Sequence, residues 1–577
     1  MQELEISPPA EPVAFRTFRA KSSSRRQSVS QRRFVLVFAA VVLTLLLAGA
    51  IRWMLDHPFA VHWDEAEYFN AVQIDVQRLS NGMLLKFAGR ILLKSWGRPP
   101  AYRILADPLL ALFGFHIFTA RMISLACFTL SCGFIYLAVR RVASATAAAI
   151  AALIFALSPE VVSASIFFGT DTALYLATSA TFYYLLCVWS EPAPRSRNWI
   201  GLGVALGLGF LAKTSFIIIA LPLLAFWAVA SPWKKLRLPS PFSQWKAALL
   251  AGVVAGPWWI LNAKAAVAYG QYARGFVRNS LGAPSLATGI RWLNTVVQCL
   301  LGHGTSVLIC LLLIALLVRL ANRNNNRPNS LRNVALGACV CAGLPIVIAQ
   351  VSGTNHLLRH ISPAMIPLAI AVGLLFEKTG WTHSWRSIGV SCGLLCVQLG
   401  MLLTPVISPN RREVDLGFVN GALPWRTMVR FDQWEWRAVR DITDNCGLDD
   451  PTISYLGNGR AFNKPQIAYP WVVRGTYLDV PDPEWLWRYE NGPIVWQDTI
   501  NSADQSDIVL TAPNFAGEAK YKEDQDNRYN AEFAMRLSHD QHFRPPVRIL
   551  MGRFEPVEVL VFVNKDANCK ADFGNSQ

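Results

Sequence analysis

Apolar runs about as long as a bilayer is thick recur from residue 34 to about residue 406. The first run, FVLVFAAVVLTLLLAGAIRWML, begins at residue 34, and roughly 20 apolar residues in an α-helix cross a hydrocarbon core about 30 Å thick. Only 16% of the 577 residues are charged, whereas soluble proteins carry about 25%. The pattern predicts an all-α polytopic membrane domain.

Lys and Arg residues concentrate in the short segments between alternate apolar runs, for example at Arg140-Arg141 and Lys234-Lys235. Such residues mark the cytoplasmic ends of membrane helices. The basic stretch at residues 1–33 lacks apolar periodicity and is predicted to be a disordered cytoplasmic tail. The net charge of +16 therefore reflects membrane topology and does not indicate nucleic-acid binding. A cleaved signal peptide is the competing interpretation of the first run, whose length argues against it.

The alternation of apolar runs and basic loops predicts about eleven helices across residues 34–406, with an even number of crossings as the alternative. Residues 55–117 form a long first external loop in this topology, in which Pro99 to Gly114 is expected to lie in the membrane interface or as a re-entrant helix. The predicted helices cover about 34–54, 118–139, 145–159, 172–189, 199–212, 215–230, 247–266, 297–318, 333–351, 363–376 and 387–406.

Residues 407–577 have a different character, because their apolar runs shrink to strand length, as in TISYLG, IVLTA and VEVLVFV. Clusters of Pro, Gly, Asn and Asp separate these runs, which predicts a soluble C-terminal α/β domain. An odd helix count places this domain on the external face. Cys446 and Cys569 nearly bracket the domain and would pair in an oxidising compartment, the alternative being two free thiols.

The segment His62-Trp63-Asp64-Glu65-Ala66-Glu67-Tyr68 follows the first predicted helix and places three carboxylates beside aromatic rings at a bilayer surface. If the segment is helical, Asp64 and Tyr68 share one face, and Glu65 is rotated away. A general base must lie within hydrogen-bonding distance of the proton that it removes. One of these carboxylates could be directed at a reacting hydroxyl in this way. A solvated acidic loop is the alternative that the residues alone leave open.

Other segments follow in a distinctive order: GRPPAY at residues 97–102 with DPLLALFG at 107–114, GLGVALGLGFLAKTS at 201–215, and RHISP at 359–363. Together with the Asp64-Glu65 pair and Tyr68, they resemble the motifs of the GT-C glycosyltransferases, specifically the protein O-mannosyltransferase and lipid A aminoarabinose transferase group. The resemblance covers about residues 34–405. Two departures, Thr214 where the family commonly has Gly and His360 where Tyr is usual, bear on the phosphate site and on substrate identity.

The resemblance implies a polyprenyl-phosphate sugar donor, whose phosphate requires cations. Lys86, Lys213 and Arg359 are the candidates, because each is predicted on the external side near a helix end. Cations at such positions also snorkel to the interface without a further role.

The resemblance also implies a catalytic site with Asp64 as general base and Glu65 as the group that orients a substrate. Tyr68, Asp171 and His360 are candidates for substrate binding. A helix N-cap is the alternative for Asp171. Aromatic-belt placement is the alternative for Tyr68.

We therefore expect an enzyme of a bacterial-type inner membrane that transfers a hexose or pentose, with inversion, to a lipid, glycan or protein acceptor on the periplasmic face. No cofactor and no metal site are predicted. A divalent metal is left open, since His356 and His360 at i, i+4 lack a confirming carboxylate motif. A lipid-sugar polymerase or ligase is the alternative enzyme. A secondary transporter of lipid-linked or polyol substrates is the alternative from another class, although transporters bury ionisable groups at the bilayer midplane.

Overall fold

A computed structural model of the chain describes residues 29–58, 63–93, 97–191, 195–231, 245–281, 286–321, 331–353, 358–407, 414–415, 420–421, 436–457, 462–476, 478, 480, 495–514, 523–551, 556–567 and 569. Most of the predicted N-terminal tail lies outside these residues. His62 and His356 also lie outside them.

The apolar part of the chain is helical almost throughout its described residues. Its long helices are joined by turns and by short helical segments, so that consecutive helices pack side by side. The helices are α1 (Val29–Asp56), α2 (Trp63–Ser80), α3 (Leu84–Leu93), α4 (Ala101–Phe113), α5 (Ile117–Val142), α6 (Ala145–Ala156), α7 (Pro159–Ser165), α8 (Asp171–Ser190), α9 (Ser196–Ala212), α10 (Ile217–Ala230), α11 (Trp245–Leu281), α12 (Leu286–Val296), α13 (His303–Ala321), α14 (Leu331–Val351), α15 (Leu358–Ile361), α16 (Met365–Thr379) and α17 (Trp385–Ile407).

Seven helices in the described part of the chain are long and apolar enough to cross a membrane, or eight if the bent pair α6–α7 is one span. The chain is therefore a multi-pass membrane protein. Each predicted apolar run coincides with a helix of the structure, but the predicted count of eleven spans is not confirmed, because several of these helices are too short. Residues 267–296, predicted as an external segment, are helical where described: α11 continues to Leu281, and α12 follows.

The glycine-rich sequence of α9 is explained by its close packing against α11. A Cβ atom at Gly203 would lie 2.8 Å from the carbonyl oxygen of Ala247, and one at Gly207 would lie 2.6 Å from the Cβ of Val254. Small residues allow two helix backbones to approach closely in a membrane, where packing stabilises helix association. The glycines of α9 therefore allow this helix to lie directly against α11, and the turn that carries Lys213 follows its end.

The chain bends by 70° between α6 and α7. Backbone carbonyls at such a break need partners, because lipid supplies none. Gln398 of α17 donates from Nε2 to the carbonyl of Leu157 over 3.3 Å, and Ser158 Oγ donates to the carbonyl of Leu300 over 2.6 Å. Side chains therefore satisfy the freed carbonyl at the bend and a second carbonyl beside it.

Three helices, α2, α3 and α4, occupy the segment predicted as the long first external loop. Asp75 of α2 holds them together: its Oδ1 lies 2.8 Å from Arg90 Nε of α3, and its Oδ2 accepts a 2.7 Å hydrogen bond from Arg103 Nε of α4. The carboxylate of Asp75 is fully buried. Helix α4 coincides with the predicted interfacial helix and exposes Leu112 and Phe113 on its outer side.

The C-terminal part contains a four-stranded sheet in the order β3-β4-β6-β5, in which β3 and β4 are parallel and the other neighbours are antiparallel. The predicted runs TISYLG, IVLTA and VEVLVFV coincide with β3, β4 and β6. The elements are β1 (Val414–Asp415), β2 (Asn420–Gly421), α18 (Arg437–Asn445), β3 (Ile453–Leu456), α19 (Lys464–Val473), α20 (Trp496–Asp504), β4 (Ile508–Thr511), α21 (Glu523–Ser538), β5 (Val547–Met551) and β6 (Val557–Val563).

The C-terminal part docks on helix α2 and shares a hydrophobic cluster with it. The ring of Phe69 lies 4.2 Å from that of Phe115 and 5.7 Å from that of Tyr469, between centroids. Asn70 Nδ2 donates to the carbonyl of Pro465 over 3.0 Å. This part of the chain therefore supports the helix that carries the acidic motif.

A disulfide joins Cys446 and Cys569, the pair singled out in the sequence. It links the end of α18 to the segment after β6, across 123 residues of chain. A cross-link over such a long loop removes conformational freedom from the unfolded chain. The cross-link therefore stabilises the part that docks on α2.

We predict that Phe69→Ala destabilises the protein, because Phe69 is fully buried between α2 and the C-terminal part. Phe→Ala changes in protein cores cost about 3–5 kcal/mol of unfolding free energy. Denaturant titration of the purified protein, followed by tryptophan fluorescence, measures the change. Phe113→Ala is the matched control, since Phe113 is 67% exposed. Equal losses in the two variants would contradict the docking described here.

Candidate functional site

The acidic motif lies at the start of α2, with Asp64 and Glu65 in its first helical turn. Negative side chains are favoured there by the partial positive charge at a helix N-terminus. Consecutive residues in an α-helix point about 100° apart. The two carboxylates therefore enter different surroundings, Glu65 in the protein interior and Asp64 in a partly open cluster of charges.

Glu65 forms a fully enclosed ion pair with Arg121 of α5. The Nε and Nη2 atoms of Arg121 donate to Oε1 and Oε2 of Glu65 over 2.8 and 2.7 Å, and neither side chain has exposed surface. Oε1 also accepts a 3.0 Å hydrogen bond from the backbone N–H of Phe168, and Arg121 Nη1 donates to the carbonyl of His57. This one pair joins the end of α1, the start of α2, α5 and the segment before α8.

Glu65 is therefore not in a position to touch a substrate. Its oxygens face a guanidinium and a backbone amide in the interior, so the predicted catalytic role does not match its location. The geometry instead makes Glu65 a positioning residue for its neighbour Asp64. The helical spacing predicts that Glu65 points away from Asp64, but it does not indicate that Glu65 points into the interior and meets Arg121.

Asp64 is paired with Arg359, which is 295 residues away in the sequence. The Nη1 of Arg359 donates to Oδ2 of Asp64. The side chains are 17% and 32% exposed, so both reach the surface of the cluster. Arg359 lies in the short helix α15, directly before the turn that contains Pro363 and leads into α16.

Asp171 and Lys213 form a second ion pair, with 2.6 Å between Lys213 Nζ and Asp171 Oδ1. Asp171 is the first residue of α8, and Lys213 is an extended residue between the end of α9 and a 3₁₀ turn. The side chains are 12% and 20% exposed. The N-cap position predicted as the alternative role of Asp171 is taken by Thr170.

The two ion pairs lie next to each other. Arg359 interacts electrostatically with Asp171 as well as with Asp64. His360 interacts electrostatically with Lys213, Arg359 and Asp64. We call Asp64, Asp171, Lys213 and Arg359 the paired-charge cluster; its two carboxylates and two cations sum to no net charge.

Tyr68 lies beside the paired-charge cluster, one helical turn after Asp64. Burial raises the pKa of the Tyr68 phenol well above its usual range, and the nearby Asp64 carboxylate raises it further. The phenol therefore keeps its proton at physiological pH and acts as a hydrogen-bond donor or an aromatic surface. The guanidinium carbon of Arg98 lies 5.9 Å from the centroid of the Tyr68 ring, and Arg98 pairs with Glu67 over 2.8 Å.

A small cavity of about 40 Å³ opens beside His360, between α10, α14 and the turn after α15. Its walls combine the apolar side chains of Ile218, Ile219 and Ile346 with the polar side chains of Ser215 and His360. Gln350 also lines it and has a buried Oε1 without a hydrogen-bond donor among the described residues. The paired-charge cluster thus adjoins, through His360, a small recess of mixed polarity.

Lys86 does not join this cluster. It lies exposed on α3, and within the described ranges no contact links its side chain to the four charged residues. Its predicted part in phosphate binding stays a prediction. His356, one half of the possible metal pair, lies outside the described residues, so that pair is not defined here.

Sequence reasoning missed Arg121, Arg98 and Glu160. Arg121 carries a detectable signal, since it is a lone cation within an apolar run, where an ionisable residue is costly without a partner. Glu160 of α7 lies within electrostatic reach of Asp171 and Arg359. No spacing in the sequence connects it to them.

Comparison with known protein families gives one match. Residues 97–261 match the family described as dolichyl-phosphate-mannose-protein mannosyltransferase. This segment begins at the GRPPAY motif and includes both Asp171 and Lys213. No curated protein matches the sequence.

Two solved structures show the same fold over most of the chain. ArnT from Cupriavidus metallidurans, bound to undecaprenyl phosphate, is 14% identical with a TM-score of 0.57, and the alignment covers 94% of this chain and 99% of ArnT. The oligosaccharyltransferase AglB from Archaeoglobus fulgidus, in complex with an inhibitory peptide and a dolichol-phosphate, is 12% identical with a TM-score of 0.50. That alignment covers 84% of this chain and 70% of AglB. The resemblance to GT-C glycosyltransferases is confirmed by the family match and by the fold.

We predict that Glu65→Gln destabilises the protein by about 3–5 kcal/mol, because it leaves the Arg121 guanidinium buried without a counter-charge. Glu67→Gln is the control, since that carboxylate is 33% exposed in its pair with Arg98, and a loss below about 1 kcal/mol is expected. Denaturant titration measures both. A Glu65→Gln protein as stable as wild type would contradict the positioning role.

Proposed function

We propose that this chain is an integral-membrane glycosyltransferase that moves a sugar from a polyprenyl-phosphate carrier to an acceptor hydroxyl. The observation that carries the proposal is the paired-charge cluster, in which two cations lie near each other and each is held by a carboxylate. Two fold relatives were solved with undecaprenyl phosphate and dolichol-phosphate, which are both polyprenyl phosphates. A site for such a donor requires cations for the phosphate and an apolar surface for the lipid.

Arg359 and Lys213 are the groups that would bind the donor phosphate. Charge-assisted hydrogen bonds from Arg and Lys to phosphate are short and strong. Each cation is held by one carboxylate in the structure, so the phosphate would replace Asp64 and Asp171 as their partner. Donor binding would thereby release the Asp64 carboxylate, and the bound phosphate would bring its own negative charge into the cluster.

The released Asp64 would act as general base. It would accept the proton of the acceptor hydroxyl while the oxygen attacks the anomeric carbon from the face opposite the phosphate. The bond between that carbon and the phosphate oxygen breaks, its electron pair leaves with the phosphate, and the configuration inverts. Arg359 and Lys213 would stabilise the charge that develops on the departing phosphate. These groups are all side chains of the protein, and the mechanism routes no step through a metal ion.

Neighbouring residues would set the geometry of the reaction. The buried Glu65 and Arg121 pair fixes the start of α2, so Asp64 stays within reach of Arg359. Tyr68 keeps its phenol proton and would donate to the sugar or stack on it. Asp171, once released from Lys213, would orient the acceptor.

The site and the C-terminal part would lie on the external, periplasmic face of a bacterial-type inner membrane. Asp64 follows the end of α1, Asp171 begins α8 and Lys213 follows α9, so these residues gather at one end of the bundle. Arg141 and Arg332 lie at other helix ends, where they pair with Glu191 and Glu377. Basic helix ends face the cytoplasm, which supports this orientation.

We predict that Asp64→Asn lowers sugar transfer by at least about 100-fold, the typical contribution of a general base. The assay follows radiolabelled sugar from a panel of polyprenyl-phosphate donors into membrane acceptors, at matched protein levels. Asp56→Asn is the control, because Asp56 pairs with Arg52 on the exposed end of α1 and is expected to keep wild-type activity.

Two results would contradict the proposal. Transfer by Asp64→Asn near the wild-type rate would remove Asp64 as the base. A wild-type protein that moves these lipids across the membrane, and transfers no sugar from any of them, would make the chain a transporter.

A further inference from the structure

The C-terminal part holds a second group of ionisable side chains that the proposed reaction does not use. Asp504 is the last residue of α20, Asp540 follows the end of α21, and His542 lies two residues further on. One oxygen of each carboxylate and one ring nitrogen of the histidine all lie within 4.8 Å of one another. Two segments that are separate in the sequence therefore bring metal-ligating atoms to one spot.

The individual distances approach those of a coordination sphere. His542 Nδ1 lies 2.8 Å from Asp540 Oδ1 and 3.8 Å from Asp504 Oδ1. Ligand atoms bound to one Zn²⁺ ion, each about 2.1 Å from it, are at most about 4.2 Å apart. A shift of less than about 1 Å would thus bring the three groups around one ion.

The described part of the chain balances the charges of this group only in part. Within the described ranges no Lys or Arg pairs with Asp504 or Asp540, and His542 is the one basic side chain that contacts them. The Oδ1 atom of Asp504 is enclosed and lacks a hydrogen-bond donor among the described residues. A buried carboxylate oxygen without a donor is costly, and a cation at this spot would satisfy it.

The group is also held in place by the backbone. Asp540 Oδ1 accepts a 2.8 Å hydrogen bond from the N–H of His542, which fixes the turn between them. Asn564 at the end of β6 donates from Nδ2 to the carbonyl of Asp504 over 3.4 Å, and Phe543 forms a bridge with Asn564. The ligand atoms are thereby arranged before any ion binds.

We infer that Asp504, Asp540 and His542 form a binding site for a divalent transition-metal ion of the Zn²⁺ class. One imidazole nitrogen and two carboxylate oxygens are ligands that Zn²⁺ accepts, and a water molecule would complete a tetrahedral set. The ion would tie the end of α20 to the turn after α21 and so stabilise the C-terminal part. This role is separate from the proposed sugar transfer.

The test is equilibrium dialysis of the purified full-length protein against Zn²⁺ alone, after treatment with a chelator. Free thiols are first blocked with N-ethylmaleimide, because Cys310 and Cys396 are exposed and would also bind the ion. We expect wild type to bind one more Zn²⁺ per chain than Asp504→Asn or His542→Ala, with at least a tenfold weaker affinity in each variant. Zn²⁺ should also raise the melting temperature of wild type.

His539→Ala is the matched control, since His539 is exposed three residues earlier and its Nδ1 bonds to a carbonyl of its own helix. It should bind Zn²⁺ as wild type does. Melting curves without metal establish that every variant is folded, and Asp540→Asn replaces any that is not. Equal binding by all variants, or no binding by wild type, would overturn the site and leave His542 as a cap of Asp540.

Discussion

The buried pair of Glu65 and Arg121 is the interaction on which the arrangement of the site depends. Glu65 lies in the first turn of α2, directly after Asp64. It also accepts a hydrogen bond from the amide of Phe168, which holds the chain three residues before Asp171. One enclosed pair thus sets the positions of both carboxylates of the paired-charge cluster. Removing one partner from such a pair exposes the full desolvation cost of the other.

Charge balance explains how the paired-charge cluster can be stable and still reactive. Two carboxylates hold two cations, so the cluster is neutral, and its side chains are partly open to the surroundings. In the proposed reaction a lipid phosphate would compete for the same cations, because phosphate presents several oxygens to Arg and Lys. Binding of the donor and release of the base would then be the same event.

The sequence predicts the long apolar elements well, because a membrane imposes one simple requirement on length and polarity. All predicted helices have counterparts, yet helices such as α9 are too short to settle a span count. The motifs placed Asp64, Asp171, Lys213 and Arg359 on one side, and the structure brings them together. The partners of the charged residues could not be predicted. Nothing in the sequence indicates that Glu65 contacts Arg121 in the interior, or that Lys86 is exposed on α3.

Exchange of the cations between carboxylate and phosphate is the central claim, and binding of undecaprenyl phosphate by the purified protein tests it most directly. Loss of one charged contact should weaken binding by about 10- to 100-fold in Arg359→Gln. Asp64→Asn should bind at least as tightly as wild type, because Arg359 no longer has to exchange its paired carboxylate for the phosphate. Lys86→Gln should match wild type. If Asp64→Asn loses as much affinity as Arg359→Gln, the two residues do not exchange partners, and the account is wrong.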